Sequence, residues 1–472
     1  MIGSILFIGT LIMTIGNAVI SGLDTGLALH FRQQLCGDIV VISSDQIKEN
    51  VFFIPMGEAV ESINQLDEVL RVVTQNNNVR VALPVAKGIV FVLNEDGEPY
   101  FQMLLGVRFN DYYRAFPDGI SVVEGHLPTG NTRGLLLSTK SRDELLTFSN
   151  TWPVPKGETV VTANLPAGIT PNTVTIKSEI IFMGYSDRDT SLDIISTVNA
   201  IISYPAFNQL WGYFSIIDID SYNECNGYYQ PVPSAKISAK DRELLANYTH
   251  LDDILFGGTP PSHDAIADIP PPQTERVKSG YNLILVKIDT PDAIESVVHE
   301  INHDLSSHNL PARAITWKAA LGQVAQMAFL MRAVLFGFVT IVFLVAIIVI
   351  TNTLSLAAME RVSEIGMMRA IGAQRRFVSL MFVAETSFLS IIFGGLGIGV
   401  GVISIGGLQH MTIRTSNRLV ELFFGGPVFR PMITATDIGL GLLQLGVVTV
   451  VAVIYPIYIA RRISPNDAIS RD

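Results

Sequence analysis

Residues 359–376 read MERVSEIGMMRAIGAQRR and join two long runs that carry no charge. The stretch holds four arginines (Arg361, Arg369, Arg375, Arg376) and two glutamates (Glu360, Glu364). Charge is costly inside a bilayer and cheap at its edge, so a polar connector between apolar runs reads as a turn at a membrane surface.

Working outward, four uncharged stretches reach the roughly 20 residues a bilayer-crossing helix needs. They are Met1–Leu23, Ala333–Ala358, Thr386–Gln409 and Ile438–Ala460. A hydrophobic content of 49% agrees with a membrane protein. The third run carries a glycine ladder from Phe393 to Gly407, which suits close backbone approach where lipid supplies no hydrophobic drive between helices. The first run lacks a basic leader and a small-x-small cleavage site, so it is read as a retained helix. The expected fold is a membrane α-helical protein of four transmembrane helices, with a large α+β extracytoplasmic domain inserted between helices 1 and 2. The boundaries read are 1–23, 333–358, 377–409 and 438–460 for the spans and 24–332 for the inserted domain. The connector is 359–376, a further outer loop is 410–437, and the tail is 461–472.

Charge separates these parts. Between Asp24 and Arg332 there are 36 acidic and 22 basic residues, against 7 and 10 elsewhere. An acidic inserted domain argues against a nucleic-acid face, which needs clustered basic residues. Arginines flank the spans unevenly. The connector has four, the tail has Arg461, Arg462 and Arg471, and the third-to-fourth loop has Arg414, Arg418 and Arg430. The positive-inside bias therefore puts connector and tail in the cytoplasm and the inserted domain outside. The two cysteines, Cys36 and Cys225, both lie in the 24–332 segment, where an oxidising compartment would permit a disulfide.

Within the inserted domain, LDTGLALHFRQQLCGDIVVIS reads as a helix leaving the membrane that stops at Gly37 and becomes a strand over Asp38–Ser43. Short β runs follow: VRVAL, then two runs split by Asp96-Gly97 as a hairpin, then NTVTIKSEIIFMGY. In the last of these Val174, Ile176, Glu179 and Ile181 alternate in part, as in a half-buried strand. Residues 222–280 are rich in Pro, Gly and Ser, with a helical island near Asp241–Tyr248 and a sequon at Asn247. A strand–helix–strand unit follows. Its helix presents Ile294, Val297, Val298 and Ile301 on one face, is capped by Thr290 with Pro291 at the first position, and closes at Leu310-Pro311. Lys318–Arg332 reads as an amphipathic helix running unbroken into the second span.

Chemistry is sparse. No G-x-x-x-x-G-K-S/T phosphate loop occurs, so the chain holds no ATP of its own in that way. VHEINHD sets His299 and His303 four apart with Glu300 beside the first. That spacing can ligate a metal, but no third ligand is evident, and the solvated face of an amphipathic helix accounts for them more simply. No metal or cofactor site is assigned. Glu385, at the start of the third span, is a functional candidate because a carboxylate near a bilayer is costly, or else an interfacial residue reaching the surface. In the connector Val362, Ile365 and Met368 recur at helical spacing, with Glu360, Arg361 and Glu364 around the other side. Arg361 and Glu364 stand as an i,i+3 pair, and Gly372 suits a helix end. Such a helix can lie at the headgroup boundary or dock into a partner's groove.

Residues 352–401, NTLSLAAMERVSEIGMMRAIGAQRRFVSLMFVAETSFLSIIFGGLGIGVG, resemble the FtsX-like permease domain of ABC transporters in the MacB/LolC–LolE superfamily. The resemblance rests on Glu360, Arg361, Glu364, Ile365, Gly366, Arg369, Ala370, Gly372, Ala373, Arg376 and Glu385, and on the tail YPIYIARRISPNDAIS. Three stretches of the inserted domain look more loosely like lipoprotein-releasing permeases: GLALHFRQQLCGDIVVIS, IKSEIIFMGYSDRDTSLDIISTVNAI, and VKIDTPDAIESVVHEINHDL with Trp317. Residues 222–280 depart from the family. The resemblance implies a multi-pass protein of the bacterial inner membrane, paired with an identical or related permease. It also implies a cytoplasmic ABC ATPase dimer holding ATP and Mg, so that this chain is not itself the enzyme. Glu360, Arg361, Glu364, Ile365, Gly366, Arg369, Gly372 and Arg376 would form the coupling helix on that ATPase. The substrate implied is a lipoprotein lifted from the membrane toward an acceptor. A MacB-type exporter and an FtsX-like regulator of cell-wall hydrolases are the alternatives.

Overall fold

The computed structural model describes all residues except 1, 54–58, 95–96, 131, 185–192, 232–273, 277–279, 412, 416, 418–419, 422–423 and 463–472. The helical island at Asp241–Tyr248, the Asn247 sequon and the end of the tail motif lie outside the described residues. The chain folds as two units. A helical unit takes Met1–Cys36, Tyr204–Gln209 and Leu321–Asp472, and a sheet unit takes Gly37–Ser203 and Leu210–Ala320.

Helix α1, Ile2–Phe31, outlasts its apolar run by two turns and widens into a π-helical turn at Arg32–Cys36. Gly37 then turns the chain at φ +69°, where a Cβ would sit 2.8 Å from the Val286 carbonyl oxygen, so glycine is required there. Strand β1, Ile39–Ser43, follows as read from the sequence.

Among the described residues, ten strands of the sheet unit form one connected sheet. After β1 come α2 (Leu66–Gln75), β2 (Val79–Leu93), β3 (Pro99–Val107), α3 (Phe109–Ala115), β4 (Ser121–Gly125), β5 (Leu135–Ser138) and α4 (Thr139–Ser149). Then come β6 (Thr151–Pro153), β7 (Thr175–Lys177), β8 (Glu179–Gly184), β9 (Asp193–Ser203), β10 (Phe214–Asp218) and α5 (Ile219–Cys225). The pair β11 (Tyr229–Pro231) and β12 (Thr274–Arg276) precedes β13 (Leu283–Ile288), α6 (Ile294–Ser307) and β14 (Ala312–Thr316).

Strand β2 is one 15-residue strand where the sequence suggests two runs, and it serves two lobes. Its first half, Val79–Val85, pairs with β13 in the antiparallel array β14-β1-β13-β2. There Val69, Val72 and Val73 of α2 and Val297, Ile301 and Leu305 of α6 bury against Ile39, Val41, Ile284 and Val286. The face read for α6 is correct. Thr290 and Pro291 do hold the N-cap and first positions, but of a 3₁₀ turn that leads into α6, and the Thr290 side chain makes no capping bond.

The second half of β2, Ala86–Leu93, pairs with β3 through the expected hairpin, whose Gly97 has φ +80°. From there the pairings return on themselves in the order β2-β3-β10-β5-β9-β8-β2. Closing a sheet into a ring removes its edges. Val90, Leu104, Leu137, Phe182, Val198 and Ile217 fill the interior. The alternation expected along β8 is out of phase by one residue. Ile180 and Phe182 face inward, while Ile181 is 56% exposed; Ile176, 43% exposed, belongs to the separate strand β7. Both cysteines are free and buried, so the disulfide that the compartment would permit is not formed. Burial pushes the Cys225 thiol up to about 12.

Helix α7, Trp317–Leu321, ends at Gly322, whose φ of +53° and ψ of −112° break the helix before α8, Gln323–Glu360. The unbroken helix expected from Lys318 into the second span is therefore two helices. A short helix α9 (Val362–Ala370) leads to α10 (Arg375–Leu389), a π-helical turn at Ser390–Gly394, α11 (Gly395–His410) and α12 (Ala435–Arg462). Among the described residues, four helical paths are long and apolar enough to cross a membrane, as read. Part of the glycine ladder does what close packing asks. A Cβ at Gly401 would lie 2.9 Å from Thr14 of α1, and Gly397 meets Thr10, whereas Gly395, Gly399, Gly406 and Gly407 face open space. The Thr10 and Thr14 hydroxyls donate to the carbonyls of Leu6 and Thr10 at 2.8 Å, so neither is left bare between the helices.

Candidate functional site: the connector helix

Helix α9 is built from three local decisions. Arg361, at φ −95° and ψ 15°, ends α8 and opens α9, so the chain bends there without a loop. Gly372, at φ +106°, ends α9: its N–H donates to Arg369 O at 3.1 Å and that of Ala373 to Met368 O at 3.0 Å. Those two bonds are the double closure of a Schellman motif, which a Cβ-bearing residue would strain. Between the two ends, Ile365 is fully buried among Ala358, Val378 and Phe382, with Met368 packed beside it. That small core holds α9 against α8 and α10.

The remaining faces are open. Glu360, Glu364, Met367 and Arg376 are exposed and Gly366 is buried, while Arg369 is half-buried and engaged. Ile371 is 89% exposed. The Arg361–Glu364 pair expected from spacing is not made. Arg361 Nη1 instead donates to both oxygens of Glu385 at 3.2 Å, across from the joint to α10. Glu385 lies three turns inside α10 rather than at its start, and Arg361 is its partner there. The structure thus brings Arg361, Ile365 and Glu385 into one hinge and leaves Glu360, Glu364 and Arg376 free of it.

Other polar fastenings of the helical unit escaped the sequence reading. Asn17 Nδ2 donates to Gln444 Oε1 at 3.3 Å, Ser21 Oγ donates to Asp437 at 2.7 Å, and Arg332 pairs with Asp24 at 2.8 Å. Asp437 also completes a capping box with Thr434 at the start of α12, a local signal that Thr-x-x-Asp could have shown. Within the same unit, Glu421 accepts the Phe207 N–H at 2.5 Å, and burial raises its carboxyl above the ordinary range. Residues 299–303 have the order H-E-x-x-H. His299 and His303 are nonetheless exposed on α6, Glu300 accepts from Asn76 at 2.9 Å, and no cluster of three potential metal ligands occurs among the described residues.

The helical hairpin around the connector matches a known family, described as FtsX-like permease C-terminal, over residues 336–465. These residues form an FtsX-like permease domain. An uncharacterised ABC transporter permease of Methanocaldococcus jannaschii is 28% identical over 125 residues, 26% of this chain and 31% of that one. The macrolide export ATP-binding/permease protein MacB of Bdellovibrio bacteriovorus is 45% identical over 53 residues, 11% of this chain and 8% of that one. The chain thus spans less than a third of the length of either relative. Among solved structures, the periplasmic region of MacB from Actinobacillus actinomycetemcomitans aligns at 10% identity and a TM-score of 0.29, covering 62% of this chain and 91% of that one. In the permease domain, α9 is the short helix between the second and third spans, and every connector residue named above falls inside the matched range.

Proposed function

We propose that this chain is the permease subunit of an ABC transporter in a bacterial inner membrane, and that α9 couples it to a separate cytoplasmic ATPase. The observation that carries this reading is the construction of α9. It is too short to be stable alone, yet it is locked by the Ile365 core, the Gly372 closure and the Arg361–Glu385 pair, while Glu364, Met367 and Ile371 remain exposed. A helix fixed on one side and bare on the other passes on a push. ATP and Mg sit on the partner, and two permeases, identical or related, complete the assembly. The substrate class we favour is a lipoprotein, released from the inner membrane to an acceptor; the resemblance of Gly26–Ser43 and Val286–Leu305 to lipoprotein-releasing permeases supports it. Export of a small molecule or peptide is the second reading, favoured by the 53-residue match to MacB.

Purification of the chain from its native membrane, with mass spectrometry of what accompanies it, tests the assignment: an ABC ATPase is expected. Reversing both Glu364 and Arg369 should abolish stimulation of that ATPase while the sheet unit stays folded. Unchanged stimulation would refute the role of α9. In proteoliposomes, transfer of a lipidated protein to a soluble acceptor supports the first substrate class, and efflux of small molecules without such transfer selects the second.

A further inference from the structure

Among the described residues, the strand ring of the sheet unit is closed at one seam by two residue pairs, Val90 with Gly184 and Phe91 with Met183. Continued in register, Val92 would face Phe182 and Leu93 would face Ile181, but the strands part there. A cleft of about 700 Å³ opens at that point, lined by Val92, Leu93, Leu145, Ile180, Ile181 and Met183. On the far sides both strands are fully engaged, β2 with β3 up to Leu93–Pro99 and β8 with β9 from Glu179 to Met183. Alternate main-chain N–H and C=O groups of a strand point to opposite edges, so both lips of the cleft present unpaired backbone. The side chains beside it are apolar and open to solvent: Leu93 is 45% exposed, and the cross-strand pair Ile181 and Ile195 is 56% and 66% exposed. Edges this bare and apolar are normally blunted by charge, proline or a covering element.

We propose that this seam is a binding slot for an extended peptide segment of another protein, taken up as an added strand between β2 and β8. The two lips run antiparallel, so the guest strand is parallel to one and antiparallel to the other. Recognition comes from main-chain hydrogen bonds, with alternate apolar side chains entering the cleft over Leu145 and Ile180. Charge selects the flanks. The segment from Asp24 to Arg332 carries 36 acidic against 22 basic residues. At the cleft mouth Glu179 is paired with Lys156 at 3.6 Å, and the exposed Lys177 and Asp193 have no ion pair among the described residues. The guest is therefore apolar at alternate positions, and the acidic excess of the whole segment favours basic flanks.

The test uses the full chain in lipid nanodiscs and a fluorescein-labelled peptide of alternating Val and Thr with lysine at both ends. Two further peptides accompany it, one N-methylated at alternate amides and one flanked by glutamate. The lysine-flanked peptide is expected to bind at least tenfold more tightly than the N-methylated one, and several-fold more tightly than the glutamate-flanked one at low salt. Its binding should slow amide exchange at residues 93, 179 and 181, whose N–H groups alternate away from β3 and β9. Leu93→Lys and Ile181→Lys, both at exposed positions, should each weaken binding about tenfold. The proposal fails if N-methylation makes no difference, if exchange protection falls elsewhere, if none of the peptides binds, or if only a free fatty acid occupies the cleft.

Discussion

Exchanging the charges of Arg361 and Glu385 distinguishes a hinge from a mere surface pair. Arg361 Nη1 reaches both carboxylate oxygens at 3.2 Å, with side chains 47% and 41% exposed. One nitrogen shared between two long bonds in solvent is worth about 0.2–1 kcal/mol. Glu385→Arg removes that attraction and adds a like-charge repulsion of about 1 kcal/mol at most in water-like surroundings. The total loss should lower the thermal midpoint of the purified chain by no more than about 4 °C. Coupling should suffer far more, because Arg361 occupies the joint between α8 and α9 and its pair ties that joint to α10. The assay is nucleotide hydrolysis by the co-purified ATPase, with and without the permease, alongside thermal unfolding. Glu385→Arg alone should lose most of the stimulation, and the double exchange Arg361→Glu with Glu385→Arg should recover at least half. Full activity in the single variant, or a double exchange no better than the single one, would refute the reasoning.

Three other perturbations follow from the geometry. Gly372→Ala meets no atom within 4 Å, so its cost is backbone strain at φ +106°, about 1–2 kcal/mol; amide exchange should quicken at residues 372 and 373 with little change in global stability. Gly401→Val forces a contact with Thr14 and should destabilise the helical unit by about 1–3 kcal/mol, whereas Gly399→Ala, facing open space, should be neutral in the same thermal assay. Lys87 is buried in β2 and its ammonium is lowered to about 8 by desolvation. The folded state then binds fewer protons than the unfolded state between about pH 8 and 10.5, so stability rises across that window. Lys87→Met should accordingly stabilise by up to about 3 kcal/mol below pH 8, with the gain vanishing near pH 10.5 in denaturant titrations.

Much of this arrangement is legible locally. Runs of twenty apolar residues declare spans because a bilayer leaves the backbone few other options. Gly372 shows a helix end and Gly97 a hairpin, because each conformation is set by its own residue and near neighbours. Misreadings arose where a local pattern had a competing partner. Arg361 sits three residues from Glu364 and pairs with Glu385, because the bend at residue 361 turns its side chain toward α10. Gly322 lay inside an amphipathic pattern that continues on both sides, so periodicity concealed the break. Along β8, both Ile180 and Ile181 are apolar, and only ring closure decides which of them faces inward.

From its own residues the chain determines four membrane helices, an inserted sheet domain, and a short charged connector with an apolar side. These follow from desolvation and from dihedral preference, which act over a few residues. The tertiary structure alone decides that β2 joins two lobes and that the ring of strands closes through β2 and β8 at Val90 and Phe91. It likewise decides that two glycines of the ladder meet Thr10 and Thr14 while others face open space. Pairings between distant residues depend on which edges and faces remain once nearer contacts are satisfied, and no stretch of sequence carries that information alone.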